Sequence, residues 1–323
     1  MGFWSKSLKK FTRPTALITG ASQGLGNYLA RSFWANGYNL ILVSRQKNLL
    51  EKFSTELISE SLNGNHTNGC SKQEISVYSC DFSCTSDIDI FIKTLYLNHA
   101  NINVLINNAA IQGPVGKSCD IWEIDSKSYR EVVQVNLLAP IQITSSLIQL
   151  LANSLKNSNS ENSFESGGLS QASIINLSGG GATAPRANFS AYATSKAGLV
   201  RFSETLAEEV KDLGIRVNCI APGAMKTAMM QEVVDKGVQF AGAAEFATAQ
   251  KIMSEGGASM ERVAELALYL AGPDSTGITG KLISAMWDNW PALSGHTEEI
   301  KASDIFTLRR IAGRDRGMPW ADL

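Results

Sequence analysis

Thr15-Ala16-Leu17-Ile18-Thr19, a run of strand formers, passes without a break into Gly20-Ala21-Ser22-Gln23-Gly24-Leu25-Gly26. Beyond it Leu25, Leu29, Ala30 and Phe33 recur at helical spacing, so the order is strand, glycine turn, helix. A glycine turn in that place lets the backbone approach a pyrophosphate, whose charge the helix N-terminus favours. A glycine triplet alone also suits an ordinary tight turn. Its position after the first strand of a strand–helix–strand unit is what points to a dinucleotide.

Working outward, apolar runs of strand length recur at 38–43, 75–80, 104–106, 172–177, 215–220 and 281–285. Helix-compatible stretches at 47–59, 87–99, 126–151, 191–213 and 260–271 separate them. Strands alternating with helices imply parallel pairing through crossover connections. The pattern predicts one doubly wound, Rossmann-like α/β domain over residues 14–285, with a mostly parallel seven-stranded sheet flanked by helices. A basic N-terminal segment (1–13) and a C-terminal extension (286–323) flank it. Two stretches rich in Ser, Asn and Gly, near 61–72 and 153–171, bury too little apolar surface to offset their ordering entropy and read as surface insertions.

Composition narrows the function classes. The 323 residues carry a net charge of -1 and are 44% hydrophobic, enough for a core and without the basic excess of a nucleic-acid surface. The five cysteines (Cys70, Cys80, Cys84, Cys119, Cys219) form no CxxC pair, and His66, His99 and His296 lie far apart. Neither a zinc site nor a disulfide framework is expected; reduced thiols in a cytoplasmic protein are. Residues 1–13 lack the apolar core of a signal peptide, and no transmembrane segment is expected elsewhere. Phe3, Trp4, Leu8 and Phe11 of that segment fit one face of a short helix, read as packing on the protein's own surface rather than on a membrane.

The second strand ends in Ser44 and Arg45, with no carboxylate at either place. An acidic residue there would bind the adenosine 2′-hydroxyl, whereas a hydroxyl and a cation suit a 2′-phosphate, so NADP(H) is favoured over NAD(H). Farther along, Tyr192-Ala193-Thr194-Ser195-Lys196 opens a long helix. Residues four apart share a helix face, so phenol and ammonium address one site. A free tyrosine, with a pKa of about 10, exchanges protons poorly near neutrality, and a neighbouring cation favours its phenolate.

Thr19-Gly20-(x)3-Gly24-x-Gly26, Asn107-Asn108-Ala109-Ala110, Asn136, Ser178, Tyr192-(x)3-Lys196 and Pro222-Gly223 occur in that order. In this combination the chain resembles the short-chain dehydrogenase/reductase family, in its short single-domain form, from about residue 14 to 285. The resemblance implies that Tyr192 exchanges a proton with the substrate oxygen while a hydride moves between substrate carbon and nicotinamide. Lys196 would hold the nicotinamide ribose and depress the tyrosine pKa. Ser178 would hydrogen-bond the reacting oxygen, and Asn136 would anchor a water leading from Lys196 to solvent. For the cofactor it implies the turn residues Gly20, Ser22, Gln23, Gly24, Leu25 and Gly26. Asp81 would contact adenine, Asn108 and Ala109 the adenosine-side ribose, and Pro222, Gly223 and Thr227 the nicotinamide end.

Three departures stand out. The Asn-Asn-Ala-Gly run ends in Ala110. The family's serine most often lies thirteen residues before the tyrosine, where this chain has Gly179; Ser178 lies fourteen before, ahead of three glycines able to absorb one residue. The tail holds Arg309, Arg310, Arg314, Arg316 and Trp320, read as an oligomer contact or solvated arm ahead of an anion clamp. Residues 224–260, rich in Ala and Met, are expected to form a substrate lid with Gly237, Gly242, Gly256 and Gly257 as hinges. The reading is an NADP(H)-dependent oxidoreductase of a small carbonyl or secondary alcohol, working as a homo-oligomer. Its alternatives are an inactive dinucleotide-binding regulator and a nucleotide-sugar epimerase or dehydratase. Against the last, Gln23 stands where such enzymes carry a middle glycine.

Overall fold

The computed structural model describes residues 13–63, 73–156, 172–318 and 320. Seven parallel strands form one sheet in the order β3-β2-β1-β4-β5-β6-β7. They are β1 (Thr15–Thr19), β2 (Asn39–Ser44), β3 (Ile75–Ser79), β4 (Val104–Asn107), β5 (Ala172–Leu177), β6 (Ile215–Ala221) and β7 (Lys281–Ser284). The expected fold class holds, and the strand bounds move by no more than a residue. β1 pairs with β2 on one side (Thr19 opposite Val43) and with β4 on the other (Leu17 opposite Leu105). The chain therefore reverses its direction of winding between β1 and β4, and a crevice opens beyond their carboxyl ends.

Helices cover both faces. On one, α1 (Gly24–Ala35) buries Leu25, Leu29, Phe33 and Trp34 against α10 (Met260–Ala271), with α2 (Lys47–Asn63) beside β2 and β3. Each such large apolar side chain contributes about 1.5–3 kcal/mol by leaving water. On the other lie α3 (Thr85–Asn98), α4 (Ser118–Val133), α5 (Ala139–Lys156) and α6 (Ser190–Glu209). Between β6 and α10 run α7 (Ala228–Lys236), α8 (Val238–Ala241) and α9 (Ala243–Glu255), which occupy the stretch expected as a lid. Gly237 and Gly242 join these three, and Gly256 ends the last; all have φ between 80° and 96°, a region that favours glycine.

Several expectations need correction. The stretch 126–151 is not one uninterrupted helix. Asp125 breaks α4 with non-helical dihedrals and its carboxylate accepts from the Ser128 N–H, so a second helical start falls near the expected one. Gln134–Leu138 then forms a π-helical turn before α5. Pro140 explains it: an α-helix would need its missing N–H to meet the Asn136 carbonyl, which the ring also crowds. The expected polar stretches are shorter, because α2 runs to Asn63 and α5 to Lys156; their remainders, and the segment 1–12, lie outside the described residues. Among the described residues one helical run, Asp125–Lys156, is by length and composition apolar enough to cross a membrane, with mean hydropathy 1.4. Of that window 56% is buried, and α5 packs on β4, β5 and α3, as a core helix does.

The C-terminal extension does not stand apart. Trp290, Leu293 and Ile300 join the same core as α1 and α10. Past α11 (Thr297–Lys301) the chain runs along the outer edge of β7, where the Leu282 N–H donates to the Phe306 carbonyl at 2.8 Å. The Lys281 ammonium donates to the carbonyls of Ser303 and Ile305. Leu308 then reaches α6, its N–H donating to Glu204 at 2.6 Å. Arg309, one of the candidate clamp cations, pairs with Asp304 and Asp315.

Candidate active site

The crevice at the carboxyl ends of β1 and β4 holds a cavity of about 620 Å³. Its floor is the glycine turn. Gly20 has φ +67°, and a Cβ there would fall 2.9 Å from the Ala109 Cα; a Cβ on Gly26 would fall 2.2 Å from the Gly20 carbonyl oxygen. Gly24, at φ +55°, faces open space. Ser22, Gln23 and Leu25 complete that wall. The Thr19 hydroxyl accepts from the N–H groups of both Asn108 and Ala109 at 3.0 Å, and the Asn108 amide donates to the Thr19 carbonyl at 2.9 Å. Two strand ends are thereby bolted together under a bare backbone surface at a helix N-terminus, which fits the diphosphate of a dinucleotide.

At one end the same cavity is lined by Ser44, Arg45, Asp81, Asn108 and Ala109, the residues expected to meet adenosine. Arg45 is exposed. Ser44 is buried, its hydroxyl accepting from the Gln46 N–H at 3.2 Å, and Asp81 accepts from the N–H and hydroxyl of Ser83 at 2.9 and 2.8 Å.

At the other end lie Ser178, Tyr192 and Lys196. Tyr192 and Lys196 face inward from the first turns of α6, and both are buried. The Lys196 ammonium donates to the Leu177 carbonyl at 2.8 Å and lies 5.8 Å from the centre of the Tyr192 ring. Burial pulls its pKa down to about 8, with the Cys219 thiol opposing. Burial pushes the Tyr192 phenol up, and the opposing charge is that of Arg186, not Lys196. Burial thus works against the depression of the tyrosine expected from Lys196.

Asn136 sits in the π-helical turn and is fully buried. Its amide accepts from the Ile111 N–H and donates to the Ile111 carbonyl, both at 2.9 Å, and donates to the Ser195 hydroxyl at 3.3 Å. The amide is thus committed to holding the loop after β4 against α6. Ser178 directly follows β5, its N–H donating to the Ile220 carbonyl at 2.8 Å, while its hydroxyl is buried without a partner. Gly179 is the residue whose missing side chain faces the phenol: a Cβ there would fall 2.4 Å from the Tyr192 Oη.

On the lid side Pro222 and Thr227 line the cavity, and Thr227 caps α7 by accepting from the Met230 N–H at 3.4 Å. Gly223 is not brought to the cavity; its φ of +79° turns the chain, and a Cβ would meet Ala258 and Met286. Sequence reasoning passed over Gln112, whose buried amide nitrogen lacks a partner at the cavity wall, and Glu232 on α7. It also passed over Arg186 and Glu245, paired at 2.7 Å. Gln112 had a signal in its place just after the Asn-Asn-Ala-Ala run; Arg186 had none, since it lies outside the helix that carries Tyr192.

Known proteins carry the same plan. A family model described as short chain dehydrogenase matches residues 14–237. A 3beta-hydroxysteroid dehydrogenase 1 of Eggerthella lenta is 29% identical over 269 residues, covering 82% of this chain and 89% of its own. A short chain dehydrogenase of Shigella flexneri, solved in complex with NADP, superposes with a TM-score of 0.64 at 25% identity, covering 84% and 96% of the two chains. An NAD+-bound xylitol dehydrogenase superposes with a TM-score of 0.69 over 85% and 98%, and at 20% identity that likeness speaks for the fold.

Proposed function

Because the chain belongs to the short chain dehydrogenase family, whose members oxidise alcohols or reduce carbonyls with a nicotinamide dinucleotide, we propose that it moves a hydride between NADP(H) and a small carbonyl or secondary alcohol, Tyr192 exchanging the proton. The observation that carries the reading is one cavity running from Arg45 past the glycine turn to Tyr192 and Lys196. When bound, the nicotinamide supplies or accepts the hydride.

The chain's own residues do the rest. The backbone from Gly20 to Gly26 cradles the diphosphate, with Ser22, Gln23 and Leu25 closing over it. Ser44 and Arg45 take the 2′-phosphate, a hydroxyl donor and a planar cation matched to that group. The NADP complex of the Shigella flexneri relative supports the same preference. Asp81 meets the adenine, and Asn108 and Ala109 the adenosine-side ribose. Pro222, Gly223 and Thr227 shape the nicotinamide end, Gly223 through the turn it makes rather than by contact.

At the reacting end Lys196, charged at neutrality, holds the ribose hydroxyls and passes protons toward Tyr192. Asn136 positions this machinery by pinning Ile111 and Ser195 with its amide, so a water leading from Lys196 to solvent would have to be held by its main chain rather than its side chain. Ser178 can donate to the reacting oxygen once its buried hydroxyl is uncovered. The phenol, raised by burial in the free protein, acquires a useful acidity with a cationic nicotinamide beside it, since opposite charge favours the phenolate.

A panel of aldehydes, ketones and secondary alcohols, followed by NADPH and NADH absorbance, tests the reading. Loss of proton exchange at Tyr192 removes a factor of about 10²–10⁴ from turnover in Tyr192→Phe. Undiminished turnover in that variant would sink the mechanism.

A further inference from the structure

Arg186 stands six residues before Tyr192, in the loop between β5 and α6. Its guanidinium carbon lies 3.8 Å from the centre of the Phe189 ring and 6.0 Å from that of Tyr192. One nitrogen donates to Glu245 on α9 at 2.7 Å, and the pair is sheltered, with side chains 15% and 34% exposed. The space left by Gly180 is bounded by this guanidinium. Stacked on one ring, near a second, and fixed at its edge by a carboxylate, the cation holds one orientation beside the phenol. A second tie joins the same two regions, the Asn188 amide donating to the Ala241 carbonyl at 3.2 Å.

Several charged or titratable groups surround Tyr192. Lys196 comes from its own helix with Cys219 of β6 beside it, Arg186 from the loop, and Glu245 from α9 behind Arg186. Lys226 and Glu232 line the lid side of the cavity. Arg186 itself is not among the cavity's lining residues, so it acts on the reaction through Tyr192.

We propose that Arg186 is a positioning residue whose charge favours the phenolate form of Tyr192 and whose hold on Glu245 couples the seating of α9 to proton exchange. The proposal rests on the reading that Tyr192 is the proton-exchanging group. Its physical content is a pair of opposite signs. The Arg186 cation stabilises the phenolate, so removing it raises the pH at which Tyr192 ionises. The Glu245 carboxylate offsets that cation, so removing it lowers the same pH. A merely structural tether would behave differently, because both changes break one ion pair and would act alike.

The test titrates the full-length protein, saturated with NADP+, by tyrosinate difference absorbance, each variant being subtracted against itself carrying Tyr192→Phe. Arg186→Met should raise the Tyr192 midpoint by about one pH unit, the size expected for a partly offset charge near 6 Å. Arg186→Lys should restore most of the difference, and Glu245→Gln should move the midpoint downward. Shifts of the same sign in Arg186→Met and Glu245→Gln, or no resolvable shift in either, overturn the proposal. If Arg186→Met does not fold, Glu245→Gln decides alone: a fall in the midpoint supports the coupling and its absence refutes it. No turnover is needed, so a protein that reduces nothing in the carbonyl panel yet shows opposite shifts refutes the hydride-transfer reading and leaves the charge arrangement standing.

Discussion

Gly179→Ala is the sharpest probe of the site. Its new Cβ would lie 2.4 Å from the Tyr192 Oη, 2.9 Å from Cε1 and 3.0 Å from Cζ. Carbon and oxygen settle at roughly 3.4 Å, so the phenol must retreat by about 1 Å. The obstacle is the tip of a side chain rather than backbone, and Gly179 has no left-handed dihedral to lose. Folding should therefore bear little of the strain: overpacking costs about 1–3 kcal/mol, less the ~0.4–1 kcal/mol gained by stiffening the unfolded chain. Catalysis should bear most of it, because a displacement of about 1 Å in a reacting group costs on the order of 10²-fold. With a substrate from the carbonyl panel, kcat/KM should fall by about two orders of magnitude, while NADP(H) affinity stays within about threefold. Gly179→Ser should fall similarly, since its Cβ meets the same phenol. Parental turnover in a well-folded Gly179→Ala protein would show that the phenol's seat in the structure is not the one used in catalysis.

Gly26→Ala should abolish cofactor binding by tryptophan fluorescence titration at about 100 times the parental Kd, because its Cβ cannot coexist with the Gly20 carbonyl 2.2 Å away. Arg45→Ala should weaken NADPH by about 10–100-fold, the worth of a charge-assisted bidentate contact, and NADH far less; equal losses would refute the assigned 2′-phosphate site. Burial depresses Lys196 to about 8, so its charge is present below that pH and lost above it. NADP+ affinity should accordingly decline as pH rises through about 8, and a curve flat up to the ordinary lysine range would contradict the burial argument.

How legible the chain was depends on where the signal is local. β5, Ala172–Leu177, was readable to the residue because Ala172, Ile174, Ile175 and Leu177 crowd one short stretch, the mark of a strand buried on both faces. The turn from Gly20 to Gly26 and the Tyr192–Lys196 pair were legible because spacing on one element states the geometry. The π-helical turn was missed although Pro140 announced it; hydrophobic periodicity averages over a single proline. Arg186 and Glu245, 59 residues apart and joined by one ion pair, carried no local sign at all. Nor could spacing tell how close Gly179 comes to the phenol, since that approach is set by the path of the chain after β5.

The strap along β7 has a consequence for the molecule among its neighbours rather than for its chemistry. An open parallel sheet ends in a row of main-chain donors and acceptors that any passing strand can use as a template. Here the last strand meets its own chain instead: Phe306 takes the Leu282 N–H, and the Lys281 ammonium fastens Ser303 and Ile305 in place. Leu308 closes the seam beside Ala182, Val200 and Cys219, directly behind the helix that carries Tyr192. The segment past β7 thus acts as a hem, keeping that edge of the sheet from being extended by a stranger and bracing the helix of Tyr192 from behind.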